Sequence, residues 1–209
     1  MSVERFVKSG EIDFHSMILE MADNSGSKPY ELLIGPLYSS QSFRKIERYL
    51  KQSNSSKKPN TSKQLRWIGA NTRYWAMSES FTKTKDSLLS HQKKKDGICF
   101  DLMLYLPCGE GPKAREKGSK EWKHKLGNLP PSTGVVDGLF DGNVEVMILD
   151  NEFAAVCYHL LIPDVSPVHI PLGFFTTDKH LVQHVSSVVD SFLEGATAYD
   201  KPNLLGLIN

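Results

Sequence analysis

From Tyr30 onward the chain alternates short apolar runs with stretches whose apolar residues return every three or four positions. "YELLIGP" is a compact apolar run closed by Gly-Pro, the pattern of a buried strand. "SSQSFRKIERYLKQS" follows with Phe43, Ile46 and Leu50 at helical spacing and serines placed to cap it. "QLRWIGA" predicts a second strand and "ICFDLMLYLP" a third, with helical turns between them around Ser87 to Lys95. Upstream, Ile12, Met17, Ile18 and Met21 predict an amphipathic helix over 12–23, which Pro29 bars from continuing. The segment from about 108 to 134 is polar, rich in Gly and Pro and without core periodicity, and predicts a long exposed loop.

Two apolar runs in "VVDGLFDGNVEVMILDNEFAAVCYHLLI" flank Asp-Asn-Glu and predict a β-hairpin. Its alternation predicts that Val144, Val146, Ile148 and Val156 share a buried sheet face, with Asn143 and Glu145 turned the other way, as in a half-buried strand. Near the C-terminus, Leu181, Val182, Val185, Val188, Val189, Phe192 and Leu193 predict a long helix capped by Thr177 or Asp178 and ended at Gly195, with a short tail over about 198–209. Strands alternating with helices, then a hairpin and a helix, predict one α/β domain over 1–209: an α/β/α sandwich around a mixed β-sheet. No internal repeat interrupts it.

Composition adds little to that picture, and charge adds more. At 209 residues, 40% hydrophobic and 23% charged, the chain has the balance of an ordinary globular domain. Cys99, Cys108 and Cys157 cannot all pair and lack zinc-finger spacing, which predicts reduced thiols. With no apolar signal core at the N-terminus and no long apolar run, a cytoplasmic protein without a membrane partner is expected. The net charge of +1 conceals 23 Lys and Arg against 14 acids over 1–130, and 2 against 10 over 131–209. Residues 37–96 hold 14 bases and 4 acids, either the wet face of core helices or a phosphate-docking surface. Arg44, Arg48 and Lys51 share one helix side, and Lys57 and Lys58 extend it.

"GNVEVMILDNEFAAV" resembles the hairpin of the phospholipase D-like fold, whose signature is HxK, four residues, then Asp. In that signature a histidine attacks phosphorus and a lysine on the same strand face holds the phosphate. With Asp150 on the motif's aspartate, the histidine position is Asn143 and the lysine position Glu145. The glycine-serine pair that follows becomes Cys157-Tyr158. The resemblance therefore implies an architecture without a catalytic set. It is similar in plan to the effector-binding domains of TrmB-type archaeal transcriptional regulators, over about 5–70 and 134–198. With no winged helix before it in this sequence, the resemblance implies a lone sensory domain, or one whose DNA-binding part was lost or lies elsewhere.

The resemblance implies a non-catalytic, ligand-sensing or interaction domain that dimerises with itself. Its effector, of unknown identity, would contact Asn143, Glu145, Asp150 and Tyr158; no catalytic residue, cofactor or metal is expected. The alternatives are a nucleic-acid-binding protein acting through Arg44, Arg48, Lys51, Lys57 and Lys58 or through a partner DNA-binding protein, and a divergent phosphodiesterase or nuclease. Other candidates are weaker. His91 and Lys93 form an HxK, but Ile98 stands where Asp is required; His180 and His184 are helix neighbours without a third ligand in view. Arg73, Tyr74 and Trp75 suit either stacking on a base or packing.

Overall fold

Seven strands form a single mixed sheet in the order β1-β7-β6-β5-β2-β3-β4. The computed structural model describes residues 30–52, 63–70, 79–92, 98–108, 112–126, 133–137, 142–160 and 170–198. In chain order these are β1 (Tyr30–Ile34), α1 (Ser40–Gln52), β2 (Lys63–Ile68), α2 (Glu79–Gln92), β3 (Phe100–Cys108), α3 (Pro112–Leu126), β4 (Thr133–Asp137), β5 (Val144–Leu149), β6 (Phe153–Leu160), β7 (Ile170–Thr176) and α4 (Lys179–Ala198). β2, β3 and β4 run parallel; every other pairing is antiparallel. The α/β/α sandwich expected from the sequence is the architecture found. No helix among the described residues is long and apolar enough to cross a membrane. The helix expected over 12–23, Lys57, Lys58, the "RYWAM" segment and the tail beyond 198 lie outside the described residues.

Two cores sandwich the sheet. One face packs Leu33, Trp67, Met147, Leu149 and Phe153 against Ile46 and Leu50 of α1, Phe81 and Leu88 of α2 and Trp122 of α3. The other packs Ile68, Val144, Val146, Ile148, Val156 and Phe174 against Val182, Val185, Val188 and Val189 of α4. The four hairpin residues expected on one buried face are there. Glu145 does turn to the opposite side, but that side is not solvent: the residue is fully buried. β5 is the central strand of seven, so helices cover both of its faces. A half-buried hairpin was the wrong expectation.

Three further expectations need correction. The supposed loop over 108–134 contains α3 and the start of β4. Among its described side chains the buried one is Trp122, whose indole N–H donates at 2.8 Å to the Pro107 carbonyl. Exposed i,i+4 pairs, Glu116–Lys120 and Lys117–Glu121, line its wet side. α2 begins at Glu79 rather than near Ser87, and its buried face runs Phe81, Thr84, Lys85, Leu88, His91, with polar residues masking the period. Finally, "IPLGFFT" is β7, and α4 continues past Gly195 to Ala198. Asp178 is the cap: its Oδ1 accepts the backbone N–H groups of His180 and Leu181, each at 3.0 Å.

Candidate functional site

The β5–β6 hairpin closes through Asp150, Asn151 and Glu152, with the Glu152 N–H donating to the Leu149 carbonyl at 3.0 Å. Asn151 adopts φ 58°, a left-handed conformation that asparagine tolerates better than most residues. The turn sets the register. Leu149 faces Phe153, Glu145 faces Cys157 and Val144 faces Tyr158. Since side chains alternate, Glu145, Cys157 and His159 share the face covered by α1–α3, and Tyr158 sits on the α4 face.

On the first face Glu145 is the organising group. The backbone N–H of Leu37 donates to its Oε2 at 2.9 Å, and the Trp67 indole N–H donates to Oε1 at 2.9 Å. His159 Nε2 stands 3.6 Å from Oε2. Leu37 arrives there because the Gly-Pro turn after β1 folds the chain back over the hairpin. Gly35 takes φ 105°, donates its N–H to the Pro171 carbonyl at 3.1 Å and accepts the Ser42 hydroxyl at 3.2 Å. That turn leads directly into α1, where the Ser39 hydroxyl accepts the Ser42 N–H as an N-cap. Cys157 Sγ lies 3.5 Å from the Gly35 carbonyl. Burial, and then the Glu145 carboxylate, push its thiol well above the ordinary range.

On the opposite face Asp150 meets Arg66. The guanidinium Nη2 donates to Asp150 Oδ1 at 2.6 Å and to Ser186 Oγ at 2.9 Å, and Nη1 pairs with Asp190. Burial works against the charge, but the hydrogen bond to Asp190 and the two carboxylates outweigh it and hold Arg66 above its ordinary value. The hairpin turn is thereby tied to α4.

The four residues expected to contact one effector are thus split. Asn143 is half-buried at the start of the hairpin, where its carbonyl accepts the His159 N–H at 2.7 Å. Glu145 is buried on one face, Asp150 and Tyr158 belong to the other, and burial pushes the Tyr158 hydroxyl up. The four do not share one face of the sheet: a two-residue alternation cannot bring 145 and 158 together across this register. Sequence reasoning passed over Cys157 as a ligand, and over His159, Trp67 and Arg66. The signal for the first two was available, since a turn centred on Asn151 puts 157 opposite 145 and period 2 puts 159 beside it. Of the basic set, Arg44, Arg48 and Lys51 are exposed along α1, where with Glu47 they line a shallow surface depression. Lys51 pairs with Glu47 at 2.9 Å. His91 is buried, 3.6 Å from Glu47; His180 is exposed and His184 partly buried.

No family model matches the chain, and no curated protein matches it. Among solved structures it is similar to NucT from Helicobacter pylori, at 12% identity and a TM-score of 0.43, covering 79% of this chain and 95% of that one. It is also similar to TrmBL2, described as an archaeal chromatin protein with a novel mode of DNA binding, at 11% identity and a TM-score of 0.38. That match covers 93% of this chain but spans only 64% of TrmBL2.

Proposed function

We propose that this chain is a non-catalytic binding module of phospholipase D-like layout, serving as a sensory or regulatory interaction domain. One observation carries the reading. Glu145, in the register position of the phosphate-holding lysine, is buried and already engaged by the Leu37 and Trp67 N–H groups. A phosphate brought there would meet a carboxylate in a low-dielectric interior, where like charges repel strongly. Asn143, in the nucleophile's position, cannot form a covalent phosphoenzyme.

The test pairs an activity assay with a binding assay. The purified chain is incubated with a generic phosphodiester and, separately, melted in the presence of sugars, nucleotides and other small effectors. No hydrolysis above a mock-purified control is expected. A true effector at a hundredfold excess over its Kd should add about 2.7 kcal/mol of stability. Light scattering on the same samples reads the expected homodimer. Turnover that scales with protein and vanishes in His91→Ala or His124→Ala would overturn the reading.

A second reading is favoured by α1, where Arg44, Arg48 and Lys51 reach solvent side by side. Such a face suits a nucleic-acid backbone. Each neutralised phosphate would contribute about 0.9 to the slope of log affinity against log salt on duplex DNA. Reversing the three to glutamate should abolish retention on DNA at low salt if this reading holds; unchanged retention with an intact fold would remove it.

A further inference from the structure

Three metal-binding side chains of different kinds meet on the α1–α3 face of the hairpin. Cys157 and His159 project from β6 to the same side, and Glu145 stands opposite Cys157 on β5. Their donor atoms all lie within 4.8 Å of one another, and all three residues are buried. Zinc bonds of about 2.0–2.3 Å place two donors of one tetrahedral ion about 3.3–3.7 Å apart. His159 Nε2 and Glu145 Oε2 already stand at 3.6 Å.

We propose that Glu145, Cys157 and His159 form a buried site for a zinc-class divalent ion. The donor set of thiolate, imidazole and carboxylate is the one zinc takes, whereas magnesium and calcium prefer oxygen alone. Each Glu145 oxygen accepts one hydrogen bond and has a lone pair left for a metal. The Trp67 indole and the Leu37 amide orient the carboxylate from behind, as outer partners do for metal ligands. Among the described residues, the basic group within ion-pair reach of Glu145 is His159, whereas a dication would compensate both the carboxylate and a Cys157 thiolate. Ion binding takes the thiol proton off to solvent and leaves sulfur as a ligand. The Gly35 carbonyl, 3.5 Å from Cys157 Sγ, borders the same space with a further oxygen. Because the donors are buried, the ion would be structural, pinning the β1–α1 turn to the hairpin.

The inference does not depend on the absence of catalysis and is tested on the full chain. The protein is stripped with a chelator, dialysed, and titrated with Co²⁺. About one ion per chain is expected, with the visible bands of tetrahedral cobalt and a near-ultraviolet sulfur-to-cobalt charge-transfer band. That band should persist in a Cys99→Ala/Cys108→Ala variant and vanish in Cys157→Ala. His159→Ala should weaken Zn²⁺ competition at least about tenfold, and Zn²⁺ should raise the melting temperature of the native chain but not of Cys157→Ala. If Cys157→Ala does not fold, the charge-transfer band in the Cys99→Ala/Cys108→Ala variant decides, since Cys157 is then the remaining thiol. A folded native chain that takes up no Co²⁺, or that binds it without the sulfur band, would overturn the proposal in favour of a direct His159–Glu145 ion pair.

Discussion

Placing a lysine at position 145 should break the fold. In Glu145→Lys, the Leu37 and Trp67 N–H groups, both now satisfied by the carboxylate at 2.9 Å, would face an ammonium that can only donate. Each buried donor left without an acceptor costs about 1–3 kcal/mol. A buried charge without a partner costs about 3–5 kcal/mol more, unless the lysine gives up its proton, which itself costs free energy near neutral pH. Even the lower bound of these costs together, about 5 kcal/mol, is a large share of the about 5–15 kcal/mol that holds a typical domain together. Glu145→Gln keeps the volume and one acceptor, so only one of the two donors is orphaned and the loss should be about 1–3 kcal/mol. Urea unfolding followed by far-ultraviolet circular dichroism, in a chelator so that no ion contributes, measures both. The expected order is native, then glutamine, then lysine, with the lysine variant largely unfolded at 37 °C. A lysine variant within about 1 kcal/mol of native would show that position 145 opens to solvent.

Trp122→Ala should cost about 3–5 kcal/mol and expose α3 to trypsin, because this side chain is its buried anchor and hydrogen-bonds the Pro107 carbonyl. Limited proteolysis mapped by mass spectrometry reads it, and unchanged protection of 112–126 would contradict the packing. Gly173→Ala should destabilise by about 1–3 kcal/mol in urea melts, since an added Cβ would lie 1.9 Å from the Val156 carbonyl oxygen; a neutral result would mean that β6 and β7 can part at that point. Burial, then the hydrogen bond to Glu152, raise the Tyr49 hydroxyl from 10.0 to about 12. Its contribution is therefore complete below pH 10 and is lost as pH climbs from about 10 to about 12, so urea melts across that window should be flatter for Tyr49→Phe than for the native chain.

The central hairpin was legible because "VEVMIL" and "FAAVCYHL" keep a strand period on both sides of a turn with good turn chemistry. α4 was legible because seven apolar residues hold one helical stripe. Two-sided burial was also written in the sequence, though it was read past. Five of the six residues in Val144–Leu149 are apolar, the pattern of a strand covered on both faces. The lone acid within that run was assigned to water because acids usually lie there, whereas here two donors meet it. α3 stayed hidden for the opposite reason. Among its described side chains Trp122 is the buried one, and surface ion pairs line the wet side, so little of an apolar stripe shows in the sequence. In α2, Thr84 and Lys85 occupy buried positions that a hydrophobic pattern scores as solvent.

The contacts of Glu145 and Asp150 explain why polar residues sit in such an apolar hairpin. Glu145 ties the central strand to β2 through Trp67 and to the turn before α1 through Leu37. Asp150, through Arg66, ties the same hairpin to Asp190 and Ser186 of α4. One group reaches toward each helical layer. Arg66 could not sit buried in β2 beside apolar neighbours without carboxylates on both sides of its guanidinium. Asp150 supplies one from the turn and Asp190 the other from the helix, so the register of the hairpin and the docking of α4 are fixed by the same cation. Asp150 therefore has a structural reason to be where it is.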